Sequence, residues 1–323
     1  MNAWVAQGIS AAADLGIADA LANGPLSVED LAVAVDADPD TLHRLLRALT
    51  SRGIFRLRRD GRYALTPLAE PLRRDAKISV AAAARWMGSP VSREHWSLLT
   101  DCVRTGRDVA TEVRGQTFFD YVAGQPGLQE SFNQAMSSFS EVAIAPLIAA
   151  YDFSRYATIV DVAGGQGRLL AAILAETRHA RGVLFDLPHV VAGAPAELRQ
   201  YGVADRVDVV KGCFFDDEIP LGGDIYVLKN VIHDWPDDAA VRILGNVRAS
   251  ARTGAHVVLA ELVIPRHDRD FAGKWLDLEM LACADGRERT AAEYGGLLSA
   301  AGFRMTRVVQ TVSPLSIVEA VAI

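Results

Sequence analysis

The sequence predicts an α/β protein: a Rossmann-like doubly wound sheet preceded by a helical region with a winged-helix-like outline. Three observations predict it. From about residue 157, short β-branched apolar runs alternate with segments of helical spacing. Before that point the pattern is helical, broken by one hairpin signal around Asp60-Gly61. The chain has 323 residues, of which 50% are hydrophobic and 23% charged, enough for two globular domains and too apolar for disorder.

In chain order, Ile9, Ala12, Ala13, Gly16, Ile17, Ala20 and Leu21 recur at helical spacing until Asn23-Gly24-Pro25 punctuates the run. Ser27 ahead of Glu29-Asp30 starts a second helix, with Leu31 and Val35 on its buried side. Asp38-Pro39-Asp40 opens a third, which carries Leu42, Leu45, Leu46 and Leu49. Phe55, Leu57, Tyr63 and Leu65 alternate about the Asp60-Gly61 turn and predict a hairpin. Residues 80–150 read as mostly helical and rich in aromatics, among them Trp86, Phe118, Phe119 and Phe132, for which core packing is the default reading. Strands follow at Thr158–Val162, Gly182–Phe185, Val207–Val210, Asp224–Leu228 and His256–Ala260, with Phe303–Val309 and Ser316–Ile323 closing the sheet. The division is residues 1–100, a winged-helix-like domain; 101–150, linking helices; and 151–323, the doubly wound domain.

Composition excludes several functions. The net charge of -7 argues against general nucleic-acid binding, although residues 41–62 hold seven arginines against Asp60 alone. Three scattered cysteines, Cys102, Cys213 and Cys283, make no disulfide framework and fit a reducing, cytoplasmic setting. Met1 to Trp4 show no secretory signal, and no apolar run is long enough to span a bilayer.

In an open α/β sheet, ligands bind beyond the carboxyl ends of the strands. This chain places Asp161 and the loop Val162 to Gly167, then Asp186, Cys213-Phe214-Phe215, Lys229 to Trp235, and Glu261 at five successive strand ends. Leu170 stands where a dinucleotide fingerprint needs its third glycine, and Asp161 would oppose a pyrophosphate. A carboxylate there suits a positively charged ligand, and glycines allow close backbone approach. D-x-x-G-G-x-G therefore favours S-adenosylmethionine over NAD. Asp186, 25 residues after Asp161, is placed to take the ribose hydroxyls.

Asp161–Gly167, Phe185 to Pro188, Lys229 to Trp235, Ala260 to Pro265 and Gly286-Arg287-Glu288-Arg289-Thr290 together resemble one family. It is the small-molecule O-methyltransferases of the caffeic acid O-methyltransferase type, which include bacterial enzymes that tailor aromatic natural products. The resemblance covers nearly the whole chain. It implies the S-adenosylmethionine methyltransferase fold, an N-terminal dimerisation domain and a homodimer paired through the N-terminal helices.

It also implies site roles. Gly164, Gly165 and Gly167 line the methionine part of the cofactor, near Asp161; Asp186 takes the ribose; Cys213 and Phe214 meet the adenine; Lys229 and Ser140 lie along the cofactor. His233 matches the general base and Glu261 and Glu288 the acids that flank it, while Phe132, Met136, Asp234 and Met280 are assigned to a small aromatic acceptor. Met280 is equally at home in a core. Ala163 stands where the family often has glycine, and Cys213 where it usually has an acid. The implied reaction passes the sulfonium methyl to a phenolic oxygen, leaving S-adenosylhomocysteine, and requires no metal. Neither nucleic acid nor membrane is an implied partner. N-methylation, a non-methylating reaction on the same cofactor, and a winged-helix transcription regulator are the competing readings.

Overall fold

The computed structural model describes residues 1–323, which divide into two compact units: Met1–Thr100 with Ala110–Val142, and Asp101–Val109 with Ala143–Ile323. In the first unit, helices Asn2–Asp14, Val28–Ala34 and Pro39–Thr50 precede strands β1 (Phe55–Leu57) and β2 (Tyr63–Leu65). Ser27 and Asp38 cap the second and third helices, accepting from the Asp30 and Thr41 amides. The run from Ile9 to Leu21 is not one helix. Gly16 takes a φ of +70° and restarts the chain as the short helix Ile17–Ala20, because a left-handed residue cannot continue the ladder.

The hairpin pairs Phe55 with Leu65 and Leu57 with Tyr63, and Leu26 bridges to Tyr63. Leu31, Leu42, Leu46, Leu49, Phe55 and Tyr63 form its core. All seven arginines of residues 41–62 lie outside that core and are exposed.

The second unit holds a seven-stranded sheet: β3 (Thr158–Val162), β4 (Arg181–Asp186), β5 (Val207–Lys211), β6 (Ile225–Lys229), β7 (His256–Glu261), β10 (Phe303–Gln310) and β11 (Ser316–Ala322). A separate parallel ribbon, β8 (Val263–Ile264) with β9 (Arg289–Thr290), was not legible in the sequence. The sheet order is β10-β11-β7-β6-β3-β4-β5, parallel from β7 to β5, with β11 antiparallel to both neighbours. Successive residues of each strand serve opposite faces. Ile159 and Val227 pack with helices Arg168–Glu176 and Ala194–Gln200, whereas Val160 and Tyr226 pack with Asp237–Ser250 and Ala291–Ala300.

One buried carboxylate ties the sheet's far face. Glu319 on β11 accepts from Tyr151 Oη at 2.7 Å, Thr306 Oγ1 at 3.0 Å and Arg307 Nε at 2.6 Å. Burial alone would raise its pKa, but these donors outweigh it and hold it at about 2.

Candidate functional site

The parallel strands all end at one edge, where the chain turns from β3 into helix Arg168–Glu176. Gly165 and Gly167 adopt φ of +64° and +83°, and a Cβ on Gly164 would fall 2.5 Å from the Asp161 carboxylate. Ala163 sits at φ +55°, a left-handed conformation that a side chain makes unfavourable. Alanine in place of the family's usual glycine therefore carries a conformational cost at this turn.

Asp186, at the end of β4, accepts from the Gly165 amide at 2.8 Å and the Leu187 amide at 2.7 Å, one on each oxygen. Its pKa is raised by burial. Burial also pushes Asp161 up to about 7, against the pull of Lys229, and its Oδ2 has no hydrogen-bond partner. Burial lowers Lys229 in turn, offset by Asp161 and Glu261. Phe214 packs edge-on against Phe215 and Trp235, and its carbonyl accepts from Asn246. Beside it the Cys213 amide donates to Asp217 at 2.8 Å.

This donor set fits S-adenosylmethionine. A buried carboxylate with one unpartnered oxygen suits a cation, a second acid with free lone pairs suits ribose hydroxyls, and Gly165 has open space where a side chain would stand.

His233 lies in a short 3-10 turn just beyond β6, with Asn230 ahead of it at φ +53°. Its Nδ1 is 2.7 Å from Glu288 Oε1 and its Nε2 3.3 Å from Asp234 Oδ1. Glu261 stands differently from expectation. Its Oε2 is 4.0 Å from Nδ1 and unpartnered, while Oε1 accepts from the Val231 and Ile232 amides at 3.0 and 2.9 Å. Glu288 therefore holds the ring and Glu261 holds the backbone that carries it. Burial lowers the His233 pKa, but Asp234, Glu261 and Glu288 outweigh it and raise it to about 10. Burial pushes Glu261 up to about 7 and raises Asp234 as well.

One ligand-type atom from each of His233, Glu261 and Glu288 lies within 4.8 Å of the others. The two acids come from distant segments, and only the resemblance to the family, not their spacing in the chain, brought them to His233.

Two positioning residues were missed. Arg289 is fully buried and donates to the Ile232, Arg287 and Trp235 carbonyls and to Asp237, clasping the histidine turn from behind. Asp277, on helix Ala272–Cys283, accepts from the Glu288 amide at 2.9 Å. Arg289 belongs to the Gly286–Thr290 segment, which was its only signal; Asp277 had none. Gly286 is required sterically, because a Cβ there would collide with the His233 carbonyl.

Met280 is 9% exposed and Asp234 partly exposed. Phe132, Met136 and Ser140 lie on helix Pro126–Ala150 in the stretch belonging to the first unit, with Phe132 edge-on to Trp86 at 5.1 Å.

An acid-led glycine loop, a second acid at the next strand end and a buried His–Glu pair on the same edge define a transferase that uses a cationic nucleoside cofactor. Comparison with known proteins makes this specific. The O-methyltransferase domain model matches residues 96–304 and the O-methyltransferase dimerisation domain model residues 2–75. The chain is 39% identical to a phenazine O-methyltransferase of Lysobacter antibioticus, covering 98% of this chain and 92% of that one. It is 37% identical to the mitomycin biosynthesis 6-O-methyltransferase of Streptomyces lavendulae, over 98% and 91% of the two chains. The crystal structure of a neocarzinostatin-biosynthesis O-methyltransferase, in complex with S-adenosylmethionine and 2-hydroxy-5-methyl naphthoic acid, superposes with a TM-score of 0.81 at 34% identity, covering 98% and 96%. The chain belongs to the O-methyltransferase family: it is an S-adenosylmethionine-dependent O-methyltransferase with an N-terminal dimerisation domain. No helix is long and apolar enough to cross a membrane.

Proposed function

We propose that the chain methylates the hydroxyl of a small phenolic molecule, with His233 taking the phenol proton and no metal in the step. The observation that carries this is the buried His233 ring, held through Nδ1 by Glu288 with two more acids beside it. S-adenosylmethionine, when bound, supplies a methyl group already activated by positively charged sulfur. The residues that would hold it are Asp161, Gly164, Gly165, Gly167, Asp186, Cys213, Phe214, Lys229 and Ser140. Phe132, Met136, Asp234 and Met280 are assigned to the acceptor.

The acids around His233 explain how it can work on a phenol. A phenol ionises at about 10 and an ordinary histidine at about 6.5, so proton transfer between them is uphill by about 5 kcal/mol. With His233 raised to about 10, the transfer becomes nearly level. With Nδ1 donating its hydrogen to Glu288 Oε1, Nε2 is the nitrogen left to meet the acceptor. An incoming hydroxyl takes over the contact that Asp234 Oδ1 makes there at 3.3 Å.

A homodimer is inferred from the dimerisation-domain match over residues 2–75, and Trp4, 78% exposed on the first helix, fits a surface that another copy covers.

The test is a methyl-transfer screen over phenols and aromatic amines with mass detection. Methyl ethers should form, survive a chelator and disappear with His233→Ala. Products from amines alone, or activity lost to chelator and restored by a divalent ion, would refute the reading.

A further inference from the structure

We propose that His233, Glu261 and Glu288 form an inhibitory site for a zinc-class divalent ion, which takes the place of the Nδ1 hydrogen and stops the histidine from acting as a base. The site stands on geometry; the inhibition rests on the reading of His233 as the base.

All three side chains belong to the second unit. They bring one imidazole and two carboxylates to one point, with a ligand atom from each within 4.8 Å of the others. Nδ1 is 2.7 Å from Glu288 Oε1 and 4.0 Å from Glu261 Oε2. Ligands about 2.1 Å from a shared tetrahedral ion stand about 3.4 Å apart, so these two distances bracket what zinc needs. Glu261 and Glu288 are 0% and 2% exposed, and the Oε2 of each has no hydrogen-bond partner. Two carboxylate oxygens withdrawn from water without a donor are an unfavourable state that a cation relieves.

The ligands are also held from outside. Glu261 Oε1 accepts from the Val231 and Ile232 amides, which leaves Oε2 to the ion, and the Glu288 amide donates to Asp277. Outer contacts of this kind fix the direction of metal ligands. An imidazole with carboxylates suits zinc, and three protein ligands leave a fourth position for water. Magnesium and calcium ask for six or more ligands, chiefly oxygens, which this trio does not provide. The two carboxylates balance the charge of the ion when the imidazole binds as a neutral ring. The charged ring loses its Nδ1 proton to solvent, and the lone pair left on that nitrogen forms the bond to zinc. The one remaining ring hydrogen sits on Nε2, which is 3.3 Å from Asp234 Oδ1. A ring in that state has no free nitrogen to receive a phenol proton.

The test titrates zinc chloride into the chelator-treated protein by calorimetry and follows methylation of phenols over the same zinc range. The parent protein should bind zinc, turnover should fall in step with occupancy, and a chelator should restore it. Magnesium at equal concentration should neither bind nor inhibit. His233→Ala, Glu261→Gln and Glu288→Gln should each weaken zinc binding by at least about tenfold; circular dichroism identifies the variants that fold, and any one of them decides. No zinc binding by the parent protein, or unchanged affinity in the folded variants, overturns the proposal. If zinc binds in a way that depends on these residues while methylation continues undiminished, the site stands and the reading of His233 as the base fails. If no phenol is methylated but the residue-dependent zinc binding persists, the site stands and the phenolic reading fails.

Discussion

Two sets of buried carboxylates in the second unit have opposite properties. Glu319, on the face of the sheet, is 4% exposed and held at about 2. Glu261, at the carboxyl edge, is fully buried and pushed up to about 7. Burial penalises charge in both, so the difference lies in their partners. Both oxygens of Glu319 are taken, one by Tyr151 and the other by Thr306 and Arg307. Glu261, Glu288 and Asp161 each keep one oxygen with no hydrogen-bond partner. A saturated carboxylate stabilises the fold, whereas an unsaturated one retains capacity for a ligand or a proton.

The largest expected effect comes from removing the group that the edge acids surround. His233→Ala should lower turnover by roughly 10²–10⁴, the usual worth of general-base catalysis, with cofactor affinity by calorimetry changing little. In the parent protein, kcat/KM should climb with pH through neutrality toward about 10, the raised value of His233, because the imidazole must lose a proton before it can accept one. The variant should lose that limb.

Next come the two glutamates, which separate the acid that holds the ring from the acid that holds its turn. Glu288→Gln should cost roughly 10–100-fold in kcat, since an amide can still orient Nδ1 but cannot stabilise the imidazolium. Glu261→Gln should cost less, roughly threefold to tenfold, because its amide oxygen can still accept from Val231 and Ile232. Equal losses would mean that the 2.7 and 4.0 Å distances do not set the division of labour.

The smallest effect on activity should come from Glu319→Gln, and it should appear as stability instead. Its folded pKa is depressed, so its contribution is present above the unfolded value and lost as pH falls toward about 2. Denaturant unfolding at pH 7 should show a loss of roughly 2 kcal/mol, and the parent and variant should converge near pH 2. A variant that loses turnover but not stability would erase the contrast between the two sets.

Much of this fold was readable because its signals are local. Thr158–Val162 forms the strand its β-branched run predicts, and Ser27 and Asp38 cap the helices they precede. The left-handed Gly165 and Gly167 mark the loop that the glycines announced. The break at Gly16 was missed, because apolar spacing alone continues through a residue whose φ has changed sign.

The site was legible as a list of residues and not as an arrangement. By itself the sequence determined that Asp161, Asp186, His233 and Glu261 fall at or just beyond strand ends, since strand length and alternation fix that locally. Only the tertiary structure decided that Glu288, 55 residues beyond His233, bonds its ring while Glu261 bonds the turn beneath. It alone placed Arg289 and Asp277 behind them and set the protonation of the cluster. The reason is physical. Strand and helix signals arise from neighbours in the chain, whereas hydrogen-bond choice and pKa depend on distances between segments, at a scale where one ångström separates a bond from a mere proximity.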